Sequence, residues 1–195
     1  MKTFNPYDKY ASSSDITLGE LTLEEWNCEL VEPKHPGMRR RANVDPFGSD
    51  IDWPAREAEM LELMNNRLGV GLSANQVGSS YNMFVMQHSI LGEMGVYKPE
   101  ILETEGDTTY EEGCLTWPML YFKVNRPEKI KVRYTKNDGE TIVETWMDGI
   151  DARCFLHEYD HLQGKVYLEY ASDFKLKRAK DKREKLLKKL GRKIA

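Results

Sequence analysis

The residues best suited to chemistry lie at His157-Glu158-Tyr159-Asp160-His161. On a helix, positions i and i+4 stand one above the other, so two imidazoles there can share one divalent cation. The glutamate after the first histidine is then aimed at the open coordination position, where it can take a proton from a water acidified by the metal. The motif uses half of the chain's four histidines. A catalytic site of this type usually has a third protein ligand. Cys28, Cys114, Cys154, His35, His88 and several carboxylates are candidates. Cys154 shares the helix face of His157, but a ligand there competes geometrically with the histidine pair, so it reads better as a small buried side chain. Cys114 lies in Glu111-Glu112-Gly113-Cys114-Leu115-Thr116-Trp117-Pro118, where glycine and proline predict a sharply positioned, irregular segment.

These groups need elements to hold them. A helix carrying the motif is expected to start at Asp148, a suitable N-cap, with Asp151 in the first turn and Gly164 just past the end. An earlier helix should open at Pro54 and place Trp53, Met60, Leu61, Met64 and Leu68 on one face, ending at Gly69 and Gly71. Residues 21–30 suggest a short helix, and 34–50 a loop. Strands are expected over 82–87, over 95–102 with a bend at Pro99, and over 128–135, where apolar residues alternate. A turn at Asn137-Asp138-Gly139-Glu140 leads into a return strand over 141–147. Strands before a helix without βαβ alternation predict an α+β fold, antiparallel strands packed around the central motif-bearing helix.

Composition narrows the class. The 195 residues are 40% hydrophobic and 31% charged, which excludes a disordered or membrane-embedded chain. Three cysteines are too few for a disulfide framework and suggest a reducing compartment, hence a cytoplasmic location. The longest uncharged run, 68–92, contains Ser73, Asn75, Gln76 and Asn82 and cannot span a bilayer. The net charge of −4 conceals an asymmetry: residues 174–195 carry eleven Lys or Arg against two acids, a local +9 that leaves −13 for the body. A third, basic helix is expected over 173–193. The domain reading is an N-terminal extension (1–33), a metallohydrolase domain (34–172) and the basic helix (173–195).

Three segments together resemble peptide deformylases: GVGLSANQVG (69–78), EGCLTWP (112–118) and HEYDHLQG (157–164), in that family's order. The resemblance implies a cation held by Cys114, His157 and His161, typically Fe²⁺ with Zn²⁺ or Ni²⁺ able to replace it, although thiolate and imidazole alone would suggest zinc. It further implies hydrolysis of the formyl group of nascent N-formylmethionyl polypeptides, with Glu158 passing the proton to the leaving amine. The Gln76 side-chain amide and the Leu115 N–H would serve as oxyanion donors. Gly71 and Gly113 would let a substrate backbone approach. Val70, Tyr110, Ile150, Arg153 and Cys154 would surround the methionine, and the chain would act as a monomer.

Some positions depart from the family pattern. Ser73 stands in place of alanine, Thr116 in place of serine, and Leu156 where glutamine is frequent. Arg153 replaces an aliphatic residue. It is expected to line the pocket rim with its stem while its head stays in water, favouring acidic residues further along the peptide. The basic helix is expected either to lie on the body as a solvated amphipathic element or to contact ribosomal RNA. Two other readings are an HExxH metallopeptidase with Glu169 as third ligand, and a ribosome-binding module whose structural metal is closed by a fourth side chain.

Overall fold

Helix α1 (Trp53–Asn66) begins where the sequence predicts: the Asp52 carboxylate accepts the Ala55 N–H at 3.1 Å and Pro54 sits in the first turn. The computed structural model describes residues 28–48 and 50–191. After α1 come β1 (Gly71–Ser73), a 3₁₀ turn (Ala74–Val77), β2 (Met83–His88), β3 (Gly92–Glu105), β4 (Thr108–Cys114), β5 (Trp117–Arg126), β6 (Lys129–Thr135) and β7 (Ile142–Asp148). Helix α2 (Gly149–Leu162), a 3₁₀ turn (Tyr167–Tyr170) and α3 (Asp173–Lys189) complete the described chain. Five strands form one antiparallel sheet in the order β1-β2-β3-β6-β7, and β4 pairs with β5 in a separate hairpin. The α+β expectation holds.

Strand β2 is apolar on both faces because both are covered. Met83 and Val85 meet Trp53, Met60 and Met64 of α1, whereas Phe84 and Met86 join Phe155, Leu156 and Leu162 of α2. The alternation predicted for β6 is realised in buried Ile130, Val132 and Tyr134. The turn into β7 is held by Asp138, which accepts the Glu140 and Thr141 N–H groups. Beyond α2, Gly164 has φ +71°, and a Cβ there would lie 2.9 Å from the Arg39 backbone.

Five expectations need correction or bounding. The segment read as irregular, 111–118, belongs to the β4–β5 hairpin: Cys114 faces Trp117 across a two-residue turn, and a register shift between Glu112 and Cys114 absorbs the glycine. Pro118 lies inside β5 and is followed by a left-handed Met119, φ +62°. Leu68 is not on the apolar face of α1. The helix ends at Asn66, and Leu68 turns out of it at φ +56° with 94% of its surface exposed. A left-handed backbone costs a non-glycine residue about 1 kcal/mol. The bend at Pro99 is a bulge in a strand longer than expected, with Lys98 at φ +50°. The short helix expected over 21–30 falls mostly outside the described residues, and 28–30 are not helical; α3 stops at Lys189, and 192–195 lie outside. Helix α3 lies along β5, burying Leu187 and donating from Arg183 Nε to the Pro118 carbonyl at 2.8 Å.

Candidate metal centre

Helix α2 runs between the five-stranded sheet and the β4–β5 hairpin. Ala152, Phe155, Leu156 and Leu162 face the sheet core. Arg153, His157, Glu158, Asp160 and His161 lie on the remaining arc, all buried. At the tip of the hairpin Cys114 meets this arc. The Cys114 sulfur and one nitrogen each of His157 and His161 lie within 4.8 Å of one another, with His161 Nε2 at 3.3 Å from the sulfur. No fourth His, Cys, Asp or Glu atom joins this group among the described residues.

The surroundings prepare these atoms as ligands. His157 Nδ1 is bonded to Glu112 Oε2 at 3.0 Å, which fixes the tautomer and frees Nε2. Burial opposes a charge on His157, but Cys114 and Glu112 outweigh it and bring its pKa up to about 10, so a cation binding at Nε2 would displace a proton. Burial and the neighbouring His157 keep His161 well below the ordinary histidine range, hence neutral. A soft sulfur, two imidazoles and adjacent carboxylates that favour positive charge fit a divalent cation.

Glu112 is itself held from three sides. Arg126 binds it through Nε at 2.7 Å and Nη2 at 3.0 Å, and Arg153 Nη1 lies 2.9 Å from Oε1. Arg126 also reaches Asp160 at 2.6 Å, and Tyr170 donates to the same carboxylate oxygen at 2.8 Å. Two guanidinium groups and two carboxylates thus neutralise one another under the site. Burial would raise the Glu112 pKa, but the His157 and Arg126 contacts prevail and hold it below the carboxylate range.

A cleft of about 600 Å³ opens beside Cys114 and His157, while His161 lies behind them off its wall. Glu158 lies on its wall with Oε2 buried and without a hydrogen-bond partner among the described residues, and burial pushes its pKa up to about 7. Gly71 is required beside it: a Cβ would stand 2.5 Å from Glu158 Oε1 and 2.8 Å from Cys154 Sγ. Gln76 is oriented by its carbonyl, which accepts the Ser73 N–H at 2.9 Å. Its amide then donates to Thr116 Oγ1 at 3.1 Å and points at Cys114 Sγ, 3.4 Å away.

Of the residues predicted from sequence, Val70, Gly71, Gln76, Gly113, Cys114, Leu115, Ile150, Arg153, Cys154, His157 and Glu158 border this cleft. Cys154 is a buried thiol donating to the Val70 carbonyl at 3.0 Å, and burial raises its pKa, as suits a wall and not a ligand. Ile150 is 62% exposed and so is not core. Tyr110 is off the wall and lies over the Arg153 guanidinium, 5.4 Å from ring centre to Cζ. The Arg153 head is not in water: it is buried, bonded to Glu112 and to the Val124 and Thr108 carbonyls at 3.1 and 2.9 Å. Its helix position points it into the hairpin, so no rim preference for acidic peptides follows from it. Glu169 bonds Arg39 and the Val166 N–H, away from the cluster, so the third ligand of the metallopeptidase reading is missing. Sequence reasoning gave no role to Glu112, Arg126, Asp160 or Tyr170. One signal was available: Leu120, Phe122, Val124 and Arg126 share the buried phase of β5, and an arginine in that phase demands carboxylates.

Comparisons agree with this geometry. A family model described as polypeptide deformylase matches residues 29–177. A protein named peptide deformylase from Alkalilimnicola ehrlichii is 38% identical over 161 residues, covering 79% of this chain and 88% of that one. Its namesake from Thermotoga petrophila is 39% identical over 142 residues, covering 72% and 84%. Among solved structures, a peptide deformylase from Legionella pneumophila superposes with a TM-score of 0.74 at 30% identity, covering 85% of this chain and 98% of that one. With the family model spanning most of the chain over a Cys/His/His cluster, the chain belongs to the polypeptide deformylase family, whose members are metal-dependent hydrolases that remove N-formyl groups.

Proposed function

We propose that the chain deformylates the N-terminal methionine of new polypeptides using one divalent cation held by Cys114 Sγ and the His157 and His161 rings. The observation that supports this most is the convergence of those three donors on one another, two of them, Cys114 and His157, on the cleft wall beside an unpartnered Glu158 oxygen. Bound there, a cation supplies Lewis acidity and brings the pKa of a water to about 7. Glu158 accepts the proton released as water attacks the formyl carbon and delivers it to the methionine nitrogen, so formate leaves. The Gln76 amide and the Leu115 N–H donate to the oxygen on which charge develops. Val70 and Ile150 receive the methionine side chain, Gly113 leaves room for the Tyr121 ring, and the open edge of β1 at Gly71 lines the substrate backbone.

Fe²⁺ is the native metal in this reading, by family resemblance, with Zn²⁺ and Ni²⁺ as substitutes. Residues 34–172 form the catalytic unit of a cytoplasmic monomer. The structure has no helix among the described residues long and apolar enough to cross a membrane. Helix α3 carries the basic charge to ribosomal RNA through exposed lysines such as Lys177 and Lys180. Replacing these two with glutamate should weaken ribosome co-sedimentation in a salt-dependent way; equal co-sedimentation would refute the contact.

The test of the main reading is formate release from formyl-Met-Ala-Ser by protein purified without oxygen, with bound metal measured. Formate should appear, vanish on chelation and return with Fe²⁺, while circular dichroism stays native. Loss of the fold on chelation would instead indicate a structural metal.

A further inference from the structure

Three non-glycine residues among those described adopt a left-handed backbone: Leu68, Lys98 and Met119. Lys98 is accounted for by the β3 bulge and its ion pair with Asp45 at 3.0 Å. The other two both border the catalytic cleft. Leu68 follows Arg67, the C-cap of α1, at the place where glycine or asparagine is the natural occupant. Its side chain is 94% exposed, so no burial among the described residues offsets its unfavourable backbone. A leucine at this place gains when something covers it.

Its position indicates what that is. Gly69, the next residue, passes so close to the Cys114–Leu115 turn that a Cβ would lie 2.8 Å from Leu115 Cδ1. Leu68 borders the cleft beside that turn. Pro118, Met119 and Tyr121 border the same cleft, and the Pro118 carbonyl accepts from Arg183 Nε of α3 at 2.8 Å. These residues share the cleft with Cys114, His157 and Glu158. An extended peptide beside β1 sends successive side chains to opposite sides. When the first side chain enters between Val70 and Ile150, the second turns outward, towards the border residues.

We propose that Leu68 and Met119 form an apolar clamp on the side chain of the second residue of the formylated peptide, so that a large apolar residue there is favoured over glycine. The proposal rests on the deformylase reading. Covering Leu68 returns the hydrophobic free energy that the free chain forgoes, and the gain falls on binding.

The experiment compares kcat/KM for formyl-Met-Leu-Ala and formyl-Met-Gly-Ala in the wild type, Leu68→Asn and Met119→Asn. Asparagine tolerates the left-handed backbone and removes the apolar surface. The wild type should favour the leucine peptide about tenfold, through KM. Each variant should narrow that ratio to about two- to threefold, and Leu68→Asn should melt at the wild-type temperature or above it. A wild-type ratio near one, or a ratio unchanged in both variants, overturns the clamp while formate release upholds the deformylase. A melting temperature several degrees lower in Leu68→Asn also counts against it, by giving the leucine a structural role. Formate from neither peptide overturns the deformylase reading and the clamp with it.

Discussion

The two sides of α2 are both buried yet built differently. Towards the sheet, Ala152, Phe155, Leu156 and Leu162 fill an apolar core with Phe84, Met86 and Val132. Towards the hairpin, Arg153 and Asp160 meet Glu112 and Arg126 in a closed ionic cluster. Apolar packing is non-directional and proportional to area, so it holds the helix without fixing any one atom. Charged hydrogen bonds are directional, and here they end on His157 Nδ1. A buried ion cluster adds little net stability over an apolar replacement. Its use on this side is to aim an imidazole.

The comparison yields graded expectations. The largest effect should follow from removing a ligand: Cys114→Ala or His161→Ala should abolish stoichiometric metal and lower formate release by at least about a thousandfold, as metal analysis and the formate assay would show. Next come one truncation on each side. Arg126→Met leaves Asp160 buried without a counter-charge and Glu112 with Arg153 alone, and should cost about 3–5 kcal/mol; Phe155→Ala opens a cavity and should cost about as much. Denaturant unfolding would show both losses. Metal affinity of the folded protein should fall only in Arg126→Met; an equal fall in Phe155→Ala would erase the distinction between the sides. Glu112→Gln is milder, with metal binding about 10–100-fold weaker and the fold kept, measurable by competition with a chelator. The smallest effect is a pH dependence. Because its contacts hold Glu112 below the ordinary carboxylate pKa of about 4.5, its stabilisation is complete above that pH. It is lost as pH falls towards the folded value. Glu112→Gln should flatten this acid limb of stability.

The same contrast explains what could be read from the sequence. The sheet-facing side of α2 and the alternation of β6 follow from periodicity, which is local. So does the pair His157 and His161, one turn apart on one helix. Cys114 could be joined to them only through family resemblance, because the hairpin that brings it there contains Gly113 and Pro118, residues that ordinarily signal a break. The ionic cluster joins β4, β5 and α2, and its members take their meaning from partners 14 to 41 residues away. Arg153 was misplaced for that reason: a long cationic side chain near a rim is expected to reach for water, but two carbonyls and a carboxylate were closer. Leu68 has helical spacing yet lies beyond the helix end, a fact carried by its φ of +56° and not by residue type.

The central claim is that Glu158 carries the proton at a cation held by Cys114, His157 and His161. Formate release per bound metal ion tests it most directly, comparing Glu158→Gln with the wild type on formyl-Met-Ala-Ser. The account predicts a full complement of metal in the variant and turnover reduced by about 10²–10⁴-fold. Turnover within a few-fold of the wild type at equal metal content would contradict it.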